Sequence, residues 1–249
     1  MPEHTSLVRT PGTGGPNDDM RALLQLGLPG ARHESITSLA RSARIRRLRA
    51  AETIFEQGGE VPLVLIIRGY MAFRRTIFHG RQLTIGIANP REMYGITSIA
   101  STVASVEMVA LTRAEIAVWH GREFRRLASA DPGLALDVID RLSDFLGILT
   151  HKLDGFLHQD ARRRVLRVLV RHQDLFFGEP PVLARSHLPG LVGTSREMTG
   201  RVLRELEQEA MVQRIGRSGL RLLDPDQLKS DAVGFLHDEY QRPSKAVSR

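Results

Sequence analysis

Arg196, Glu197, Thr199 and Arg201 fall within six consecutive positions, a spacing that on a helix places them along its first turns. Arginine donates a pair of hydrogen bonds to guanine O6 and N7, and glutamate accepts from cytosine N4. A threonine hydroxyl serves bases or phosphates. The set therefore suits reading a duplex, not making or breaking bonds. Thr194 or Ser195, just before, supplies the cap of such a helix, and both hydroxyls are assigned to the same interface. Met198, Val202, Leu203 and Leu206 are the expected inward positions, while Gly200, unusual inside a helix, removes bulk where a duplex would approach. A short helix ending at Gly193 precedes it; with Ser186 as its cap, Pro189 falls in the tolerated first turn. Two short helices joined by a glycine turn form a helix-turn-helix. Val212 to Leu223 then reads as two strands around Gly216-Arg217-Ser218-Gly219, a wing whose Arg217 sits where a phosphate would be held.

The elements that must carry this unit are also visible. Asp160 can cap a helix from Ala161 to about His172, apolar through Val165, Leu166, Leu169 and Val170 and basic through Arg162, Arg163, Arg164, Arg167 and Arg171. Those arginines fit either phosphate contacts or a solvated face. Phe176 to Pro181 reads as a loop. Upstream, Asp131 and Pro132 open a long helix in which Ile139, Leu142, Leu146, Leu149, Leu153 and Phe156 recur at spacings of three and four. This seam wants a partner, either a second copy or the chain's own domain. His151 and His158 flank it without a third ligand in register and read as solvent-facing. Before the long helix, Leu63–Ile67, Tyr70–Phe78, Gln82–Ala88, Val106–Leu111 and Glu115–Trp119 are short branched or aromatic runs separated by Gly and Pro turns. They predict an antiparallel barrel or roll of about eight strands. The expected division is a disordered tail over 1–20, a sensor roll over 21–130 with residues 21–44 helical, the long helix over 131–159, the winged unit over 160–230 and a tail over 231–249.

Composition narrows the function. The chain has 249 residues, 42% hydrophobic and 25% charged, which is ordinary for a folded globular protein. The absence of cysteine excludes disulfides, thiolate zinc sites and cysteine-held clusters. There is no His-Glu-x-x-His, and Gly12-Thr-Gly-Gly15 lacks the Lys-Ser/Thr of a phosphate-binding loop, so an enzyme is not expected. No apolar run approaches the roughly 18 residues of a membrane span, and no signal peptide is evident; a cytoplasmic protein without membrane contact is expected. The net charge of +7 is built almost wholly from arginine, the lysines being Lys152, Lys229 and Lys245. Residues 161–222 hold 12 arginines against 6 acids, a net +6 on the reading unit; residues 32–49 hold 6 more against Glu34, within a stretch expected to be helical.

Gly193-Thr-Ser-Arg-Glu-Met-Thr-Gly-Arg-Val-Leu203 resembles the Gly-x-Ser-Arg-Glu-Thr-Val-x-Arg-x-Leu motif of the Crp/Fnr family of bacterial transcription regulators. Ile54-Phe55-Glu-Gln-Gly58, Leu63 through Gly69 and His79-Gly-Arg-Gln82 are similar to its sensor domain, so the resemblance runs from about residue 21 to 224. It implies an α+β fold: an N-terminal antiparallel β-roll of the cyclic-nucleotide-binding kind, a long dimerisation helix and a C-terminal winged helix-turn-helix. It further implies a homodimer on double-stranded DNA, with Arg196, Glu197 and Arg201 matching the base-reading positions for a TGTGA-like half-site. Activation would add a contact with RNA polymerase. Met198 departs from the family's threonine. In the pocket the family's Gly-Glu and Arg-Ser pairs become Tyr94-Gly95-Ile96 and Ala104-Ser105, so cAMP is disfavoured and no cofactor is assigned. Tyr94, Gly95, Ser105, Leu149 and Thr150 remain the candidate effector residues, Leu149 and Thr150 matching the place where the long helix closes the pocket. An apolar or small-acid effector, a haem on His79 or His33, and an empty pocket stay open, as does a sensing adaptor that binds protein instead of DNA.

Overall fold

The computed structural model describes residues 16–77, 80–100 and 103–233. Eight strands form two antiparallel four-stranded sheets. One runs in the order β1 (Arg44–Leu48), β8 (Ala114–Trp119), β3 (Leu63–Arg68), β6 (Met93–Tyr94); the other in the order β2 (Thr53–Phe55), β7 (Glu107–Ala110), β4 (Met71–Ile77), β5 (Arg81–Ala88). The run Leu63-Val-Leu-Ile66 is apolar throughout because β3 is covered on both faces. Val64 and Ile66 join Leu48, Met71, Met108 and Ile116 between the sheets. Leu63 and Leu65 face the other way, against Leu24, Ile36, Leu39, Trp119, Phe124 and Leu134. That outer layer comes from α1 (Pro16–Gly27), α2 (His33–Ser42), α3 (Gly121–Ala130) and the start of α4 (Pro132–His158). The buried Trp119 indole donates to the Leu39 carbonyl at 2.9 Å, so the largest core ring is also hydrogen-bonded.

Three features differ from the sequence expectation. The end of the arginine-rich stretch 32–49 is strand, not helix: three of its six arginines, Arg44, Arg46 and Arg47, lie on β1, an edge strand on which only Leu48 is buried, so alternation never shows. α1 begins at Pro16, inside the stretch expected as a tail. α3 is not announced by the sequence pattern; only Gly121, Phe124 and Ala128 of its ten residues are buried.

α4 begins as its cap requires. The Asp131 carboxylate accepts from the Gly133 and Leu134 N–H groups at 3.0 and 3.3 Å, and also from Arg32 N at 2.8 Å and the Ser35 hydroxyl at 2.6 Å. One buried side chain thus starts the long helix and ties α2 to it. Leu134 and Val138 are buried on the roll, and Leu142 is partly so. Beyond them α4 is largely bare: Ile139, Leu146, Leu149 and Leu153 are 44–63% exposed. The side chains of Phe156, His151 and His158 lie outside the described residues.

The C-terminal unit packs α5 (Ala161–Arg171), α6 (Gln173–Phe177), α7 (Leu188–Val192), α8 (Arg196–Gln208) and α9 (Pro225–Val233) with the hairpin β9 (Val212–Ile215) and β10 (Gly219–Leu222) around Val165, Leu169, Phe176, Leu188, Leu203 and Leu206. Phe176 and Phe177, expected in a loop, end α6 instead, and Phe176 is fully buried. α7 is short, as Pro189 demands, and closes on Gly193 in the left-handed conformation. The fold is therefore α+β, with the roll, long helix and winged unit in the expected order.

Candidate nucleic-acid interface

α8 follows the α7 turn at once. Its cap is Ser195, whose Oγ accepts from Met198 N at 3.0 Å. Thr194 is half-buried beside it. The inner face of α8 is Thr199, Val202, Leu203 and Leu206. This shifts the expected register at the start of the helix. Met198 is 38% exposed, whereas Thr199 is buried with its hydroxyl donating to the Ser195 carbonyl at 2.9 Å. A threonine that satisfies its own hydroxyl one turn back can be buried, and Thr199 consequently faces the scaffold, not a duplex. At 100° per residue the opposite face is Glu197, Gly200, Arg201 and Arg204, flanked by Arg196; these arginines and Glu197 are exposed. Arg201 meets Glu205 at 3.4 Å in an exposed pair, which is weak in water. Among the described residues, the side chains of Arg196 and Glu197 make no hydrogen bond or ion pair. Arg204 is a further member of this face that the sequence reading missed, although its spacing from Arg201 signals it.

The wing is held firmly. Arg185 donates its backbone N–H to the Ser218 carbonyl and its guanidinium to the Gly216 carbonyl, both at 2.8 Å. Arg217, exposed at the tip, is thereby carried on a fixed turn. At the wing base, the Arg214 backbone and guanidinium bind Glu207 of α8 at 3.0 and 2.6 Å, and these bonds hold the Glu207 carboxyl below its ordinary pKa. Arg185 has no sequence signature, because its partners are carbonyls 31 and 33 residues away.

The basic face of α5 is mostly not a phosphate surface. Arg162 binds Glu209 through both guanidinium nitrogens, at 2.9 and 2.6 Å, and Asp231 at 3.4 Å. Arg164 donates to the carbonyls of Gln159 and Val192, and Arg167 to the Gln159 side chain at 2.7 Å. These arginines knit the winged unit and fix the joint between α4 and α5. Charge alone could not distinguish them from the outward arginines of α8.

Gly200 has open space where a Cβ would stand, so nothing inside the protein requires glycine there. Gly200→Ala is expected to stabilise α8 by about 0.5–1 kcal/mol, raising the melting temperature, while weakening duplex binding. Parallel thermal melts and gel shifts check both signs; loss of stability with unchanged binding would remove Gly200 from the interface.

On the roll, Gly95 adopts φ +76°, and a Cβ there would stand 2.0 Å from the Pro62 carbonyl oxygen, which explains the glycine without a ligand. The Tyr94 hydroxyl accepts from Asn89 N at 3.0 Å and donates to Glu92; burial and the Glu92 contact push its pKa well above the ordinary value. Its ring meets Phe73 edge-on, with centroids 5.3 Å apart. Ile96 packs against the helical side of the core, and buried Ala104 exchanges backbone bonds with Gly58 and Gly59 at 2.8 Å. Ser105 is exposed. Leu149 and Thr150 are exposed on α4, with the Thr150 hydroxyl turned to the Leu146 carbonyl, so within one chain they cover no pocket. His33 is exposed at the start of α2, and His79 lies outside the described residues. Among the described residues no cluster of His, Asp and Glu could hold a metal, and no helix is long and apolar enough to cross a membrane.

The chain matches the profile of the Crp-like helix-turn-helix domain over residues 163–230 and that of the cyclic nucleotide-binding domain over residues 45–131. It is 29% identical over 188 residues to the cAMP-activated global transcriptional regulator Vfr of Pseudomonas aeruginosa, spanning 70% of this chain and 86% of Vfr. Identity to the cyclic AMP receptor protein of Thermus thermophilus is 28% over 185 residues, 73% of this chain and 85% of that protein. Among solved structures, the c-di-GMP responsive global regulator CLP of Xanthomonas campestris superposes with a TM-score of 0.62 at 23% identity, covering 77% of this chain and 99% of that one. FixK2 of Bradyrhizobium japonicum gives the same TM-score at 16% identity, covering 76% of this chain and 96% of that one. With a nucleotide-binding-type roll, a long helix and a Crp-like winged unit in one chain, the protein is a transcription regulator of the Crp/Fnr family.

Proposed function

We propose that the protein is a homodimer that reads a palindromic, TGTGA-like site, with Arg196, Glu197 and Arg201 on base edges and Thr194, Ser195 and Arg217 on phosphates. The observation that carries this reading is the outward face of α8, where a guanidinium, a carboxylate and a second guanidinium stand exposed at the start of a helix whose other face is buried. The exposed α4 seam supports the dimer. Four large aliphatic side chains left in water along one helix favour a partner helix, and two copies would set two reading helices about 34 Å apart, one turn of DNA. Such a role places the protein in the cytoplasm, with RNA polymerase as the partner wherever it activates.

The roll departs from its cAMP-activated relatives in chemistry. At the two pocket segments stand Gly95-Ile96 and Ala104-Ser105, apolar where a cyclic phosphate wants a cation and a ribose hydroxyl wants an acceptor, so cAMP binds weakly and an effector, if the protein uses one, is of another class. Selection of bound duplexes from a random pool, at two salt concentrations and with or without cAMP, tests the whole reading. Expected are a dyad of guanine-containing half-sites, a steep fall of affinity with salt, and no change on adding micromolar cAMP. Absence of any enriched duplex would favour the adaptor reading; cAMP-dependent enrichment would overturn the assignment of the pocket.

A further inference from the structure

Gly190 lies in the middle of α7, in a helical conformation that any residue adopts, yet glycine costs a helix about 0.5–1 kcal/mol against alanine. The reason lies outside the winged unit. A Cβ at Gly190 would stand 2.3 Å from the backbone oxygen of Thr84, 2.9 Å from its nitrogen and 3.0 Å from its carbonyl carbon. These are main-chain atoms of β5 and cannot rotate aside. β5 is the terminal strand of its sheet, so α7 lies against the roll's edge.

The contact is broader than one glycine. Thr84 is buried, and Tyr70, Ile87 and Leu111 of the roll pack against the core of the winged unit. At the foot of α7, His187 Nδ1 accepts from Ala184 N at 2.9 Å. Burial, with a contribution from the positive charge of Arg74 on β4, holds its pKa below the ordinary value, against the bond that Nδ1 donates to the Ala184 carbonyl when protonated. α7 therefore stands on the β4–β5 hairpin through apolar side chains and bare backbone, while the outward face of α8 stays free.

We propose that Gly190 and the β5 edge at Thr84 and Ile87 form a positioning seat, which fixes where the sensor roll holds α8 and so sets the spacing of the two reading helices across a dyad. The seat leaves the base-contacting surface of each winged unit unchanged. Any side chain at residue 190 lifts α7 from β5 and tilts α8 relative to the roll. The inference rests on the dimeric reading of α4 and goes beyond it, because α7 and β5 contact no base.

The test compares two duplexes, one carrying the selected dyad and one a single half-site, against wild type, Gly190→Ala and Ile87→Ala. Ile87→Ala removes the roll's side of the seat and leaves the winged unit's own residues intact, so it covers the case in which Gly190→Ala fails to fold. Both variants are expected to bind the half-site like wild type and to lose at least about tenfold on the dyad, since simultaneous engagement is worth about 10²–10⁴ in affinity where geometry permits it. Gly200→Ala, on the reading face, should weaken the half-site as well as the dyad. Wild-type affinity of Ile87→Ala, or of a folded Gly190→Ala, on the dyad overturns the seat. A wild type that binds dyad and half-site equally overturns the dimeric reading, and the seat with it.

Discussion

Arg201→Ala is expected to weaken binding to the dyad by about 2–6 kcal/mol, because a good bidentate arginine–guanine pair is worth about 1–3 kcal/mol and a dimer loses two of them. Arg196→Ala should act similarly, since its guanidinium is exposed and held by no other side chain among the described residues. Arg201 must give up its exposed Glu205 contact, which costs little. The signature lies in selectivity more than in affinity: single-base variants of the half-site should become nearly equivalent at the position each arginine reads. Arg217→Ala, at the wing tip, should instead weaken all sequences alike and lower the salt slope by about one per half-site. Competition titrations against single-base variants at fixed salt check this. Both arginine variants retaining wild-type affinity and preference would remove the base-reading assignment.

The second large effect concerns stability. Asp131→Ala deletes an acceptor of four hydrogen bonds at a side chain only 2% exposed. Loss of a helix cap costs about 1 kcal/mol, and stranding the buried Ser35 hydroxyl and Arg32 N–H adds about 1–3, so about 2–4 kcal/mol is expected. Burial alone would raise the Asp131 pKa, but the bonds from Ser35, Arg32, Leu134 and Gly133 outweigh it, and the net shift is downward. A carboxylate with a depressed folded pKa contributes stability above its unfolded value, near 3.9, and loses it as pH falls through the folded one. Wild type should therefore lose stability on acidification below about pH 4 more steeply than Asp131→Ala, with the largest gap near neutrality. Thermal melts across pH 2.5–7 read the difference. Curves separated by the same interval at every pH would mean that the carboxylate's charge plays no part.

Much of this fold is legible because its signals are local. Asp131-Pro132 and Asp160 open their helices at the residues expected, and Ser195 sits where a cap must, each through bonds to N–H groups two or three positions away. The alternating three- and four-residue spacing of the α4 seam is equally local, and the structure leaves Ile139, Leu146, Leu149 and Leu153 of that stripe exposed. What escapes is set at a distance. Thr199 takes the inward place expected of Met198 because a hydroxyl satisfied one turn back outweighs a hydrophobicity scale. Arg162, Arg164 and Arg167 look like phosphate ligands until their partners at Glu209, Gln159 and Val192 are known. The wing-holding role of Arg185 and the close approach of Gly190 to Thr84 depend on elements brought together only by the tertiary fold.

β1 has one further consequence for the molecule. As the terminal strand of its sheet it offers an unsatisfied ladder to any extended chain, and a bare strand of that kind invites stacking of one roll on the next. Arg44, Arg46 and Arg47 occupy that border with like charges, and among the described residues only Arg47 has a carboxylate partner there, Glu115 at 3.4 Å. Mutual repulsion between guanidinium groups disfavours edge-to-edge aggregation. The cationic surplus of the sensor domain thereby acts as a guard on solubility, a task separate from anything the winged unit does with DNA.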